Sequence, residues 1–250
     1  MKQLLLAVLV ACNTPEHREQ VRPHPPPIAT PVLLGVIDAV ALDAASPDAK
    51  PDTTLAVVDA PMAWSAERER LTLDYRRKHS DPKAKDLGIA PTVIVLHYTS
   101  GTSAKATRAY FDNTQIEAER PALRRAGLVN VSAHFVVDRD GTIYRLQPET
   151  RFARHCIGLN HIAIGIENVG DEVEHPLTDA QITADAALVR DLAARFPITH
   201  LFGHFEVMKL HASPLYVELD PTYNNDKPDP GPRFMAAVRE RVADLHLAGL

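Results

Sequence analysis

The sequence predicts an α/β domain built on a mixed central β-sheet. Three observations carry this. Two continuous apolar runs, TVIVLHYT from Thr92 and HIAIGIENV from His161, read as strands buried on both faces, where the alternating pattern is lost. SAHFVVDRDGTIYRL, from Ser132, places two β-rich runs around Arg139-Asp140-Gly141, which is a hairpin signature. Helix-period segments separate these strands, and interleaving of that kind gives an α/β sheet.

Taken in order, the folded domain starts near Trp64 and occupies residues 63–250. Ser65 caps a helix that carries Leu71, Leu73 and Tyr75 and ends near His79. Pro91 opens the first buried strand. Thr102 to Asn113 reads as helical, and so does Glu117 to Ala126, despite Pro121. The hairpin and the second buried strand follow. Leu177-Thr178-Asp179 starts a long helix to about Arg195, and ITHLFGH, from Ile198, is a short strand. After Asp229-Pro230-Gly231 a terminal helix runs to about His246.

The 45% of hydrophobic residues suffices for a packed core, and a net charge of -5 gives no basic footprint, which excludes nucleic acid as a partner. Two cysteines, Cys12 and Cys156, are too few for a disulfide framework. Cys12 ends MKQLLLAVLVAC, where one positive charge precedes an apolar run too short to span a bilayer. Residues 1–11 therefore read as a signal peptide. Leu9-Val10-Ala11-Cys12 resembles a bacterial lipobox, which implies a lipidated Cys12 as the mature amino terminus. Residues 12–62 are rich in Pro, Ala and Asp without a persistent period and read as an extended tether.

His97 ends the first buried strand and His204 ends ITHLFG, so both stand where loops gather at the strand ends of an open α/β sheet. Near the carboxyl end, DKPDPGPR traps Asp229 between Pro228 and Pro230, and proline pushes the residue before it into extended backbone. Two imidazoles and a carboxylate, with a fourth position for water, form a recurring catalytic zinc arrangement. Spacing alone leaves packing histidines and a stiff turn as the competing reading, because there is no HExxH or CxxC.

HYTSG, SAHFVVDRDGTIYRL, IAIGIENVG, THLFGHFEV and KPDPGP, in this order, resemble the type 2 N-acetylmuramoyl-L-alanine amidases, whose fold phage lysozymes and peptidoglycan recognition proteins share. The resemblance spans Trp64 to Val242. It implies a mixed sheet flanked by helices, with a zinc groove at one edge of the strand ends. It also implies one Zn²⁺ held by His97, His204 and Asp229, and hydrolysis of the amide between N-acetylmuramic acid and L-alanine. Glu167 matches the family's general base. Ala133 stands where phage members carry a tyrosine, which places more weight on Glu167. Lys227, two residues before Asp229, matches the cation that faces the oxyanion.

The resemblance further implies substrate contacts from His134, His155 and Asn160. His134 on the hairpin has packing as an equal alternative. His155 falls where the family shows Trp-His-Ala-Gly, but Arg154 and Cys156 replace the Trp and the Ala. Asp220-Pro221 reads as a turn, and Cys156 as a small packing residue. The stretch from Asn113 to Leu128 is either a substrate-facing flap or a solvated helix. The partners implied are peptidoglycan or muropeptide and a membrane reached through the Cys12 lipid, on the periplasmic face of the outer membrane; a monomer is expected. The rival is a peptidoglycan-binding lipoprotein with weak catalysis or none.

Overall fold

The computed structural model describes residues 55–224 and 226–250. Cys12, the signal segment and the tether up to residue 54 lie outside the described residues. Six strands form one sheet: β1 (Val57–Asp59), β2 (Val93–Tyr98), β3 (Phe135–Val137), β4 (Ile143–Arg145), β5 (Ala163–Asn168) and β6 (His200–Gly203). Their spatial order is β1-β4-β3-β5-β2-β6. Only the β3–β4 hairpin is antiparallel, so the sheet is mixed as expected.

The apolar runs become the sheet's centre. Val93 to Leu96 are fully buried, and their side chains alternate between two cores. Ile94 and Leu96 join Ile164 and Ile166 beneath α4 (Asp179–Arg195) and α5 (Pro232–Arg241). Val93 and Val95 face the other way, towards Cys156, Leu159 and Phe202. Strand periodicity thus assigns His97 to the second face, away from α4 and α5.

Local signals set the helix boundaries. Ser65 caps α1 (Ala66–His79) by accepting from the Arg68 amide, and Thr178 caps α4 in a reciprocal box with Gln181. Each such cap contributes about 1 kcal/mol. α2 (Ala104–Asp112) packs Ala104 and Phe111 on Val136 of the hairpin. The segment read as helical from Glu117 is helix only over α3 (Pro121–Ala126), because Pro121 favours the first helical position. The terminal helix stops at Arg241, and a short 3₁₀ turn follows over Ala243–Leu245.

The tether boundary at residue 62 is corrected. Val57 to Asp59 add a parallel edge strand to β4, and the Ala60 and Met62 amides continue that pairing to Arg145 and Leu146. No period announced this strand because it is three residues long and largely exposed. Asp220 does form a turn, its Oδ1 accepting from the Thr222 amide and hydroxyl.

Candidate metal centre

The parallel strands β5, β2 and β6 end side by side, and the site is assembled at those ends. His97 pairs in register with Glu167 of β5, so the two side chains emerge on the same face. His204 follows β6 directly. Its turn is held by Glu206, whose carboxylate accepts from the Gly203 amide at 2.8 Å and is gripped by Arg239. Asp229 arrives from the other end of the chain, anchored by the Phe205 amide on its carbonyl at 2.9 Å. Gly231 then takes φ 89°, a left-handed conformation that lets the chain turn into α5 at Pro232.

These elements bring three ligand atoms together. His97 Nδ1 lies 3.0 Å from His204 Nδ1, and each is 3.1 Å from Asp229 Oδ2. All three residues are buried. His97's outer nitrogen, Nε2, lies 3.0 Å from Nδ1 of His155, and His155 Nε2 lies 3.3 Å from the Ala163 carbonyl. A carbonyl only accepts, so His155 Nε2 carries the proton and its Nδ1 accepts from His97 Nε2–H. His97 Nδ1 is therefore a lone pair aimed at the other two ligand atoms. Burial first, and then His204, hold the His97 imidazole down to about 4, in its neutral form at pH 7. Burial raises the Asp229 carboxyl, but the contact with His204 leads a net downward shift that keeps the group ionised.

This donor set fits zinc. Tetrahedral coordination at about 2.0–2.1 Å requires donors about 3.3–3.4 Å apart, close to the triangle formed here. Neutral imidazoles and a carboxylate are its usual ligands, and an outer imidazole N–H bonded to a further acceptor is the usual support. Without a cation, three electron-rich atoms at this separation share too few protons to satisfy one another.

The triangle opens into a groove of about 590 Å³, lined among others by Glu167, Lys227, His155, Arg120 and Tyr223. Glu167 is half-buried, and its Oε2 is enclosed with no hydrogen-bond partner among the described residues. Burial, then the Asp229 charge, push its carboxyl well up, with Lys227 opposing. A carboxyl so perturbed in a groove marks a candidate functional group.

The three residues read as substrate contacts take different places. His134 is corrected: it is fully buried, its Nδ1 accepts from the Gly165 amide and its Nε2 donates to the Arg151 carbonyl, so neither nitrogen is left for a ligand. His155 lines the groove, but both its ring nitrogens are engaged, one of them supporting His97. Asn160 accepts from the His155 and Cys156 amides, fixing the loop that carries His155. Cys156 packs in the core, and burial raises its thiol.

Sequence reasoning missed Gly165 and Asn168. The His155 ring lies so close over Gly165 that a Cβ there would meet it at 2.7 Å. Asn168 Nδ2 bonds both the His97 carbonyl and the buried carboxylate of Asp185 on α4. A glycine inside IAIGIEN, where a strand disfavours one, was the available signal.

A groove at the carboxyl ends of parallel strands, with two imidazoles and a carboxylate converging, defines an α/β protein with a candidate metal site. A family model described as N-acetylmuramoyl-L-alanine amidase matches residues 87–232, more than half of the chain, and the chain belongs to that family. Peptidoglycan-recognition protein SC2 of Drosophila melanogaster is 29% identical over 117 residues, 45% of this chain and 62% of the fly protein. The endolysin of Escherichia phage T7 is 29% identical over 100 residues, 38% of this chain and 66% of the phage protein. The chain thus spans less than two thirds of the length of these curated relatives. Among solved structures, N-acetylmuramoyl-L-alanine amidase LysC from Clostridium intestinale URNW matches at 24% identity and a TM-score of 0.48, covering 77% of this chain and 99% of that one.

Proposed function

We infer that the protein is a zinc-dependent N-acetylmuramoyl-L-alanine amidase that hydrolyses the lactyl–alanine amide of peptidoglycan or muropeptides. The observation that carries this reading is the buried His97–His204–Asp229 triangle with the unpartnered Glu167 oxygen in the same groove. His97, His204 and Asp229 would hold the ion. Bound zinc supplies an acidified water and polarises the scissile carbonyl. Glu167 takes the proton from the attacking water at its carboxylate and returns it to the departing alanine nitrogen. The Lys227 ammonium, carried on the same extended stretch as Asp229, offsets negative charge developing on the carbonyl oxygen. His155 keeps the His97 lone pair aimed inward.

A purely binding role has less support. The three donors, Glu167 and Lys227 are all present, and a binder needs none of them. Dye release from labelled sacculi tests the choice: turnover that stops with chelator and returns with Zn²⁺ supports the enzyme, and binding without release refutes it. The reading extends to a lipid anchor on Cys12 at the periplasmic face of the outer membrane, motivated by the Leu9–Cys12 lipobox. Unchanged membrane fractionation of Cys12→Ala would remove the anchor from the account.

A further inference from the structure

α3 forms one wall of the groove through Arg120, its N-cap, and Leu123, yet only Ala126 of this helix is buried. One buried methyl is far too little to fix a wall. Polar anchors hold it instead: Arg120 donates to the Tyr110 hydroxyl and Arg124 to the Ile116 carbonyl, while three outside side chains grip the carbonyls around its carboxyl end, where a helix leaves such groups unpaired and favours cations. Lys78 donates to the Arg125 carbonyl, and His79 Nε2 lies 2.8 Å from that of Ala126. Arg154 makes the largest set. Its guanidinium donates to the carbonyls of Leu123 at 2.8 Å, Gly127 at 2.9 Å and Val129 at 2.6 Å, and to the Tyr223 hydroxyl at 3.1 Å. Its flat face rests 4.4 Å from the centre of the Tyr75 ring.

Tyr223 forms another part of the groove wall, four residues before Lys227. Beyond α3 and Tyr223 lies a second cavity of about 660 Å³ that shares Arg120, Leu123, Tyr223 and Lys227 with the first. One buried guanidinium therefore ties together two of the walls that the cavities share. It also sits beside His155 in sequence, at the position where the family resemblance calls for tryptophan.

We propose that Arg154 is a positioning residue for ligand specificity, clamping the 123–129 backbone and Tyr223 so that the groove continues past the metal centre into the second cavity. The second cavity carries Arg125 and Lys227, while Arg120 is paired with Glu117 and Asp220 with Lys78, so the ligand portion it takes is a carboxylate-bearing peptide and not a neutral sugar. The proposal rests on the amidase reading for its ligand.

The test uses the zinc-loaded full chain with two substrates, a muramoyl tripeptide rich in carboxylates and muramoyl-L-alanine amide. Arg154→Lys retains the charge, but a single ammonium cannot span these four acceptors. The expected result is a KM for the tripeptide raised about tenfold, with kcat and the KM of the short substrate within about threefold. Faster hydrogen exchange at residues 123–129 and unchanged zinc content should accompany it. Equal losses on both substrates, or a fall confined to kcat, overturn the proposal. If wild type cleaves neither substrate, the amidase reading fails by itself. Calorimetric binding of the intact tripeptide compound then decides: about tenfold weaker affinity in Arg154→Lys supports the clamp, and equal affinity refutes it. Should Arg154→Lys not fold, Tyr223→Phe removes only one acceptor and is read against the same two substrates. A selective rise in the tripeptide KM supports the proposal, and no selectivity overturns it.

Discussion

The outer nitrogen of His97 lies 3.0 Å from Nδ1 of His155, and the His155 ring is seated on Gly165 and bonded through Nε2 to the Ala163 carbonyl. This chain of contacts selects the tautomer of a metal-centre residue from a position that touches no ligand atom. His97→Ala should abolish zinc binding, whereas His155→Ala should retain the ion with affinity lowered about 10–100-fold. Gly165→Ala should act in the same direction, because its Cβ would displace the ring. Chelator competition measures all three, and an unchanged affinity in both His155→Ala and Gly165→Ala would remove the tautomer argument.

Glu167 is assigned the proton transfer, and its carboxylate is no part of the triangle. Glu167→Gln should therefore bind a full equivalent of zinc and unfold at nearly the wild-type temperature, while turnover falls about a hundredfold or more. Wild-type turnover in the zinc-loaded variant would assign the base elsewhere.

Lys227 lines the groove with the metal-centre residues. Lys227→Ala should lower kcat about a hundredfold, or roughly 3 kcal/mol, with KM and zinc content little changed. Pro228→Gly keeps every charge and loosens only the backbone between Lys227 and Asp229, so zinc affinity and turnover should decline together. A silent Pro228→Gly, with Lys227→Ala raising only KM, would make the segment a substrate-binding turn.

Asp185 lies under the sheet on the face opposite the groove. Burial pushes its carboxyl up to about 7, with the Asn168 amide opposing. In the unfolded chain an aspartate titrates near 3.9. Between about pH 4 and 7 the native state thus holds a proton that the unfolded state has released, so this group's stability contribution is present at low pH and lost as pH rises to 7. Asp185→Asn removes the titration and can still accept from Asn168. Relative to wild type it should gain on the order of 1–4 kcal/mol at pH 8 and little at pH 4, by urea unfolding. The same difference at both pH values would show that Asp185 does not titrate in this window.

Much of this architecture was legible in the sequence for identifiable reasons. TVIVLH and IAIGIE are strands covered on both faces, so their hydrophobicity is unbroken, and the polar residue that ends each one marks the rim of the sheet. Ser65 and Thr178 cap helices by chemistry that needs no tertiary context. The His97, His204 and Asp229 grouping required the ordered motifs, since nothing within one segment shows that residues 132 positions apart meet. What stayed hidden depends on partners distant in the chain. Arg154 shows in the sequence only as a replacement for the family's tryptophan until three carbonyls of another segment surround it, and His134 reads as a ligand contact until the Gly165 amide and the Arg151 carbonyl take both nitrogens. The Val57–Asp59 strand exists only because β4 offers it an edge.

The central claim is which bond is cut, and by which site. Mass spectrometry of a defined muropeptide incubated with the zinc-loaded protein measures it directly, through the new amino terminus. The expected product is a stem peptide with a free L-alanine amine beside an intact muramic acid carboxylate, formed by wild type and absent with His97→Ala. A new amine at any other residue, no new amine at all, or the same product from His97→Ala would contradict the account.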